Sequence, residues 1–298
     1  MNRRDFAIGL SAGLLSGACK TQKEYKLNYI LSSCMYGYMP LSGILPEVKK
    51  TGASAIDIWC RVHGNQREQI DEMGFEKFSM LLEKHEVKLG GFTQYPLGPF
   101  RLQKEMENVK RLGGQYVLCA SSGPKEPKGK EAREAVKVFI DKMKPHAEKA
   151  EELGININIE NHSNLFLYHP DSIYAFAELN PYKHLKVAFA PHHLYKWVSE
   201  MPSLIRALGD NIGFFYAQEH GKGSYKKVPK KDEMLQMPGF GGGLDYGPIV
   251  KALKGINYQG YVEIFMHPFP RGLPILPTKE EITAAINKSR SYLDSCLA

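Results

Sequence analysis

Residues 155–162 read Ile155-Asn156-Ile157-Asn158-Ile159-Glu160-Asn161-His162. Apolar and polar side chains alternate through the run, which follows a long charged segment with helical spacing. A period of two marks a β-strand, in which residues two apart share a face. Glu160 and His162 therefore leave the end of this strand on the same side. A carboxylate, an amide and an imidazole at a strand end are what an enzyme site on an α/β scaffold uses. A polar strand end meeting water is the plainer account of the same residues.

Outward from this strand, the pattern repeats. Strand-like runs fall at 27–34, 55–60, 87–93, 115–120, 185–190, 212–218 and 261–266. Helical spacing follows them at 41–50, 75–86, 102–112, 130–153, 171–179, 202–208, 246–253 and 279–296. Turn or polar residues such as Gly52, Gly154, Lys183 and Gly260 introduce several of the strands. Eight strands, each followed by a helix, predict an α/β protein with a single (β/α)8 TIM barrel over residues 27–298. An open doubly wound sheet would carry a glycine fingerprint after its first strand. Cys34-Met35-Tyr36-Gly37-Tyr38 is not one, so no nucleotide cofactor is expected.

Composition narrows the function classes. The chain has 298 residues, 43% of them hydrophobic and 24% charged, as expected of a globular protein with a sizeable core. Its formal charge of +7 is mild, and no arginine-rich stripe accompanies it, so no nucleic acid is expected as a partner. The N-terminus reads as a leader. Arg3-Arg4-Asp5-Phe6 resembles a twin-arginine export motif, and an apolar run to Ala18 follows, too short to span a bilayer. Residues 1–18 are thus an export signal and 19–26 a linker. Leu14-Leu15-Ser16-Gly17-Ala18-Cys19 resembles a lipobox that would leave Cys19 acylated, the only membrane attachment expected. The expected location is outside the cytoplasm, either periplasmic or as a membrane-anchored lipoprotein. Cys34, Cys60, Cys119 and Cys296 show no paired spacing, which predicts free thiols rather than a disulfide framework or zinc site.

On a closed barrel, functional side chains come from the carboxyl ends of the strands. Those ends and the loops after them hold Trp59, Tyr95, Glu160, His162, His192, His193, Tyr216, Gln218, His220, Glu263, His267 and Arg271. Histidines gather after strands five to eight, an address that scattered surface histidines would not share. Trp59 and Tyr216 could stack on the flat face of a ligand, Gln218 and His162 bond its polar groups, and Arg271 pair with a carboxylate. Lysines at 222, 226, 227, 230 and 231 read as a solvated loop. Gly239-Phe240-Gly241-Gly242-Gly243 precedes a helix and reads as a tight turn, although glycine amides there could also cradle an anion.

The order of Ala55-Ile56-Asp57-Ile58-Trp59, Ile159-Glu160-Asn161-His162 and Gly260-Tyr261-Val262-Glu263-Ile264-Phe265 resembles the xylose isomerase-like TIM-barrel family, which includes sugar phosphate isomerases and epimerases. The resemblance implies a divalent metal held by a Glu ending strand five, an Asp in an Asp-x-x-His pattern after strand six, a His on strand seven and a Glu ending strand eight. It also implies that the two Glu residues move a proton beside a ketose carbonyl. Glu160 matches the first position and His193 the histidine of the second pattern. Ala190, Tyr216 and Phe265 stand at the other three ligand positions. Period-two parity offers a displaced metal site of Glu160, His192, His220 and His267 for manganese, zinc or cobalt. A metal-free polar site would use the same residues. The resulting expectation is an exported sugar isomerase- or epimerase-like enzyme with a small carbohydrate substrate, Glu160 as base or ligand, and His193 and His267 orienting hydroxyls or acting as acid. A keto-sugar lyase or hydratase, or a sugar-binding barrel without catalysis, are the alternatives.

Overall fold

The computed structural model describes residues 24–298 apart from 221, 224 and 225. The export signal over 1–18, Cys19 and most of the 19–26 linker lie outside the described residues. Eight strands run in parallel: β1 (Asn28–Ser32), β2 (Ala55–Trp59), β3 (Lys88–Thr93), β4 (Tyr116–Ala120), β5 (Asn156–Glu160), β6 (Leu185–Phe189), β7 (Ile212–Ala217) and β8 (Tyr261–Ile264). β1 pairs with both β2 and β8, so the sheet closes into a single (β/α)8 barrel.

The alternation in β5 shows how the sequence sets this layout. Asn158 and Glu160 share one face, while Ile157 and Ile159 occupy the other and are fully buried. Each such aliphatic side chain contributes about 1.5–3 kcal/mol by leaving water, enough to fix the register against a one-residue slip. The helix Gly129–Leu153 that precedes it ends at Gly154, whose φ of +66° turns the chain back toward the barrel at no steric cost. The register between β2 and β3 shifts between Ile56 and Asp57. Gly90 is the extra residue of this bulge. A Cβ on neighbouring Gly91 would come within 2.2 Å of the Tyr116 carbonyl oxygen, so the barrel admits only glycine there without rearranging. The final helix, Lys279–Ser295, carries a reciprocal capping box between Thr278 and Glu281.

Two local expectations are corrected. The single helix at 41–50 is a short helix, Leu41–Ile44, followed by 3-10 turns at Leu45–Glu47 and Lys49–Thr51, because Pro46 lacks the N–H that a continuous helix needs. An additional helix spans Gln66–Met73. Ile70 is its one fully buried apolar residue, so no hydrophobic repeat announces it. Cys34, Cys60 and Cys119 are buried free thiols and Cys296 is a half-buried one. Among the described residues, no helix is long and apolar enough to cross a membrane.

Candidate active site

The end of β5 is tied to the end of β6 by one side chain. Asn161 donates through Nδ2 to the Ala190 carbonyl at 3.0 Å and accepts from the Ala190 N–H at 2.8 Å. Its amide thus extends the strand pairing by one residue. The next residues, Pro191–His193, form a 3-10 turn that places His193 over Glu160. His193 Nε2 lies 3.6 Å from Glu160 Oε1, and both side chains are more than nine-tenths buried. That separation is long for a hydrogen bond, as catalytic pairs often are before a ligand binds.

Burial alone would push the Glu160 carboxyl up. The close approach and charge of His193, the charge of His162 and the nearby Tyr95 hydroxyl outweigh it and hold Glu160 below the usual carboxylate range. His193 is held below the ordinary imidazole value, burial outweighing the nearby carboxylate. At neutral pH the pair is therefore a carboxylate beside a neutral imidazole. Its tautomer follows from its neighbours. Nε2 faces Glu160 and carries the proton, while Nδ1 is 3.3 Å from the Ser163 hydroxyl, from which it accepts. Behind Glu160, the Tyr95 and Tyr216 hydroxyls lie 3.1 Å apart, extending the hydrogen-bonded chain into the barrel.

The barrel axis is closed by aromatic rings. Trp59 stacks on Phe265 at 4.9 Å between ring centres, and Tyr216 packs against Phe265 at 5.3 Å. All three are buried. His267 stands edge-on to Phe265 and stacks on His63 at 4.4 Å. The positive charge of Arg271 works against protonation of His63, His192 and His267. Burial, with help from Arg271, pushes His63 down to about 4. One layer below this floor, Asp57 and Glu263 form a fully buried acid pair. Asp57 accepts from Thr93 Oγ1 and Tyr116 OH, each at 2.7 Å. Burial pushes Asp57 up to about 6 and Glu263, beside it, well above the carboxylate range.

A cavity of about 660 Å³ opens beside His193, over the loops that follow β5, β6 and β7. Ser163, His192 and His193 line its inner end, and Tyr195, Lys196 and Lys222 its rim. The glycine-rich loop forms one wall, and its amides gather around a side chain. Glu219 accepts from the Gly239 N–H at 2.9 Å, and the neighbouring amides of Gly242, Gly243 and Leu244 favour its charged form against the cost of burial. The anion that this turn cradles is thus a side chain of the same protein.

These contacts sort the residues singled out by sequence. Glu160, His162, His192 and His193 come together. Trp59 and Tyr216 belong to the floor, with no face open to a ligand. Gln218, expected to bind substrate, is buried and donates to the His220 carbonyl and to Gln236 Oε1 instead. The proposed metal set of Glu160, His192, His220 and His267 is not assembled. His220 turns to its own loop, where its Nδ1 accepts from the Lys222 N–H at 3.0 Å, and His267 sits with His63. His63, Ser163 and Tyr95 complete the surroundings. His63 and Ser163 lie in loops without periodic signal, and only their place after strands two and five pointed to them.

The metal that the family resemblance implies would need donors that three of its four positions lack. Ala190 has no donor atom, and Tyr216 and Phe265 are locked in the aromatic floor. Among the described residues, one group of three has ligand atoms all within 4.8 Å of one another: Glu160, His162 and His193. His162 and His193 are stacked, however, with ring centres 3.8 Å apart. Two imidazoles sharing one ion through nitrogens at about 2.0–2.1 Å, at a tetrahedral angle, hold their ring centres roughly 5 Å apart. The trio is a possible metal site by its donors, but its geometry as it stands does not fit one, and no step is derived through an ion. The purified chain is accordingly expected to hold well under one equivalent of zinc, manganese or cobalt by plasma mass spectrometry. A full equivalent that disappears in His162→Ala would show instead that the stack opens around an ion.

Comparison with known proteins gives the same architecture. Residues 45–292 match the family model described as a xylose isomerase-like TIM barrel. Among solved structures, the chain is similar to an IolI protein with a binding zinc atom, at 17% identity and a TM-score of 0.70 over 90% of this chain and 98% of that one. It is also similar to a D-psicose 3-epimerase determined in the presence of D-fructose, at 17% identity and a TM-score of 0.66 over 91% and 99%. A D-psicose 3-epimerase with D-tagatose from Clostridium cellulolyticum H10 matches at 13% identity and a TM-score of 0.66 over 91% and 99%. No curated protein matches the chain.

Proposed function

The chain belongs to the xylose isomerase-like TIM-barrel family, and we propose that it is an exported sugar isomerase- or epimerase-like enzyme that moves a proton on a carbon next to a carbonyl. The observation that carries this reading is the Glu160–His193 pair at the wall of a ligand-sized cavity. His193, the member that lines the cavity, is the proton-transferring group, acting through Nδ1 beside the Ser163 hydroxyl. Glu160 lies behind it, fixes its tautomer and stabilises the imidazolium that forms. His192 offers its ring to a substrate hydroxyl. Export rests on the leader at residues 1–18 alone.

Phe265 favours chemistry with one base. The family resemblance calls for a second proton-transfer carboxylate at that position, and a phenyl ring cannot take a proton. Aldose–ketose isomerisation, in which one group returns the proton it removed, needs no second base. Elimination from a keto-sugar likewise begins with one. Epimerisation requires a donor on the opposite face of the carbon, and the carboxylate that the family resemblance calls for in that step is replaced by Phe265.

Proton transfer is read directly by solvent exchange. Ketohexoses and aldohexoses incubated with the protein in D2O are expected to gain deuterium at the carbon next to the carbonyl, followed by NMR, and His193→Ala is expected to abolish the gain. A panel of sugars that binds without any exchange would reduce the protein to a binding barrel.

A further inference from the structure

The cavity is larger and more apolar than a lone monosaccharide requires. Its 660 Å³ lies within the ~300–1,000 Å³ typical of pockets for drug-sized ligands. A hexose is much smaller and carries a hydroxyl on almost every carbon. Ser163, His192 and His193 form the inner end, the charged side chains of Lys196 and Lys222 stand on the rim, and Tyr195 and Val198 bring apolar surface to the outer part beside the buried Tyr168 and Met201. Tyr195 is 60% exposed and Val198 44%, so this one loop after β6 holds two large apolar side chains against water. At the inner end, His192 is only 5% exposed, and its Nδ1 has no hydrogen-bond partner. Buried ring nitrogens are seldom left so, because each lost bond costs about 1–3 kcal/mol.

Resting on the sugar-processing reading above, we propose that the substrate is a glycoside of a keto-sugar, with the ketone next to the carbon that loses the proton and an aromatic or otherwise apolar aglycone. The sugar ring lies at Ser163, His192 and His193, and the aglycone covers Tyr195 and Val198, packing toward Tyr168 and Met201. Aromatic rings gain most from such a wall, since they bury a large area at little cost in conformational freedom.

Calorimetric titration with methyl and phenyl D-glucosides and D-galactosides, both anomers of each, tests the assignment. At least one phenyl glycoside is expected to bind roughly tenfold more tightly than its methyl counterpart, and Tyr195→Ala to close most of that gap. Equal affinities for phenyl and methyl glycosides would overturn the proposal. So would glycosides that fail to bind while free hexoses still exchange deuterium, an outcome that leaves the sugar-processing reading intact. Absence of both binding and exchange would remove the two together.

Discussion

Glu160→Gln is expected to lower kcat by roughly 10²–10⁴-fold while changing sugar affinity by no more than a few-fold. Glutamine keeps the shape of the side chain and an oxygen that can accept the His193 Nε2 proton, so the cavity wall stays in place. What it removes is the negative charge that stabilises the imidazolium formed when His193 takes a proton. Glu160 is ionised in the folded protein despite its burial, because His193, His162 and Tyr95 together outweigh the loss of solvent. The pH profile separates this role from a merely structural one. His193 works as a base only when neutral, and its pKa lies below the ordinary imidazole value. The acid limb of kcat/KM is therefore expected below that value in the wild type, and lower still in Glu160→Gln, where the carboxylate that raises the His193 pKa is gone. A limb that stays put, or a variant with full turnover, would show that the pair does not carry the chemistry.

The second large effect concerns stability. Glu263→Gln is expected to make the protein more stable at pH 8 than the wild type, by about 1–3 kcal/mol, with the difference shrinking toward pH 4. Asp57 and Glu263 are wholly buried beside each other, and burial raises both above their unfolded values, Asp57 to about 6. A carboxyl raised in this way favours the fold fully below its unfolded pKa, and that contribution is lost as pH rises through the folded value. At pH 8 the wild type must keep a proton on Glu263 against a solvent that would remove it. Glutamine needs no such proton, and its amide can donate to the Asp57 carboxylate, which already accepts from Thr93 and Tyr116. Chemical denaturation of both proteins at pH 4, 6 and 8 reads the effect. A variant destabilised equally at every pH would mean that shape rather than charge decides at this position.

The candidate site was legible in part. Glu160 stood out because a carboxylate at the end of an alternating run can be assigned to a face, and His193 because it closes the turn after the next strand. Parity failed for His220 and Gln218 because the chain leaves strand geometry after Ala217 and folds back on its own loop. It failed differently for Asp57 and Glu263, which lie on the inner face as the alternation requires but one layer beneath the mouth, under Trp59 and Phe265. Depth along the barrel axis depends on how neighbouring strands are staggered, and a bulge between β2 and β3 alters that stagger. His63 carried no periodic signal at all.

The sequence by itself determined the barrel, since period-two runs alternating with helical ones leave a closed ring of parallel strands as the economical way to bury both. It also pointed to the carboxyl ends of the strands as the place of the candidate site, and aligned Ala190, Tyr216 and Phe265 with the metal positions that the family resemblance implies. Only the tertiary structure decided what replaces them: an aromatic floor across the axis, with the working pair displaced to the side of β5 and β6. Face and order are local properties of a chain, readable two residues at a time. Distance across the barrel is set by packing between strands far apart in sequence, and that packing alone brought Glu160 to His193 and stacked His267 on His63.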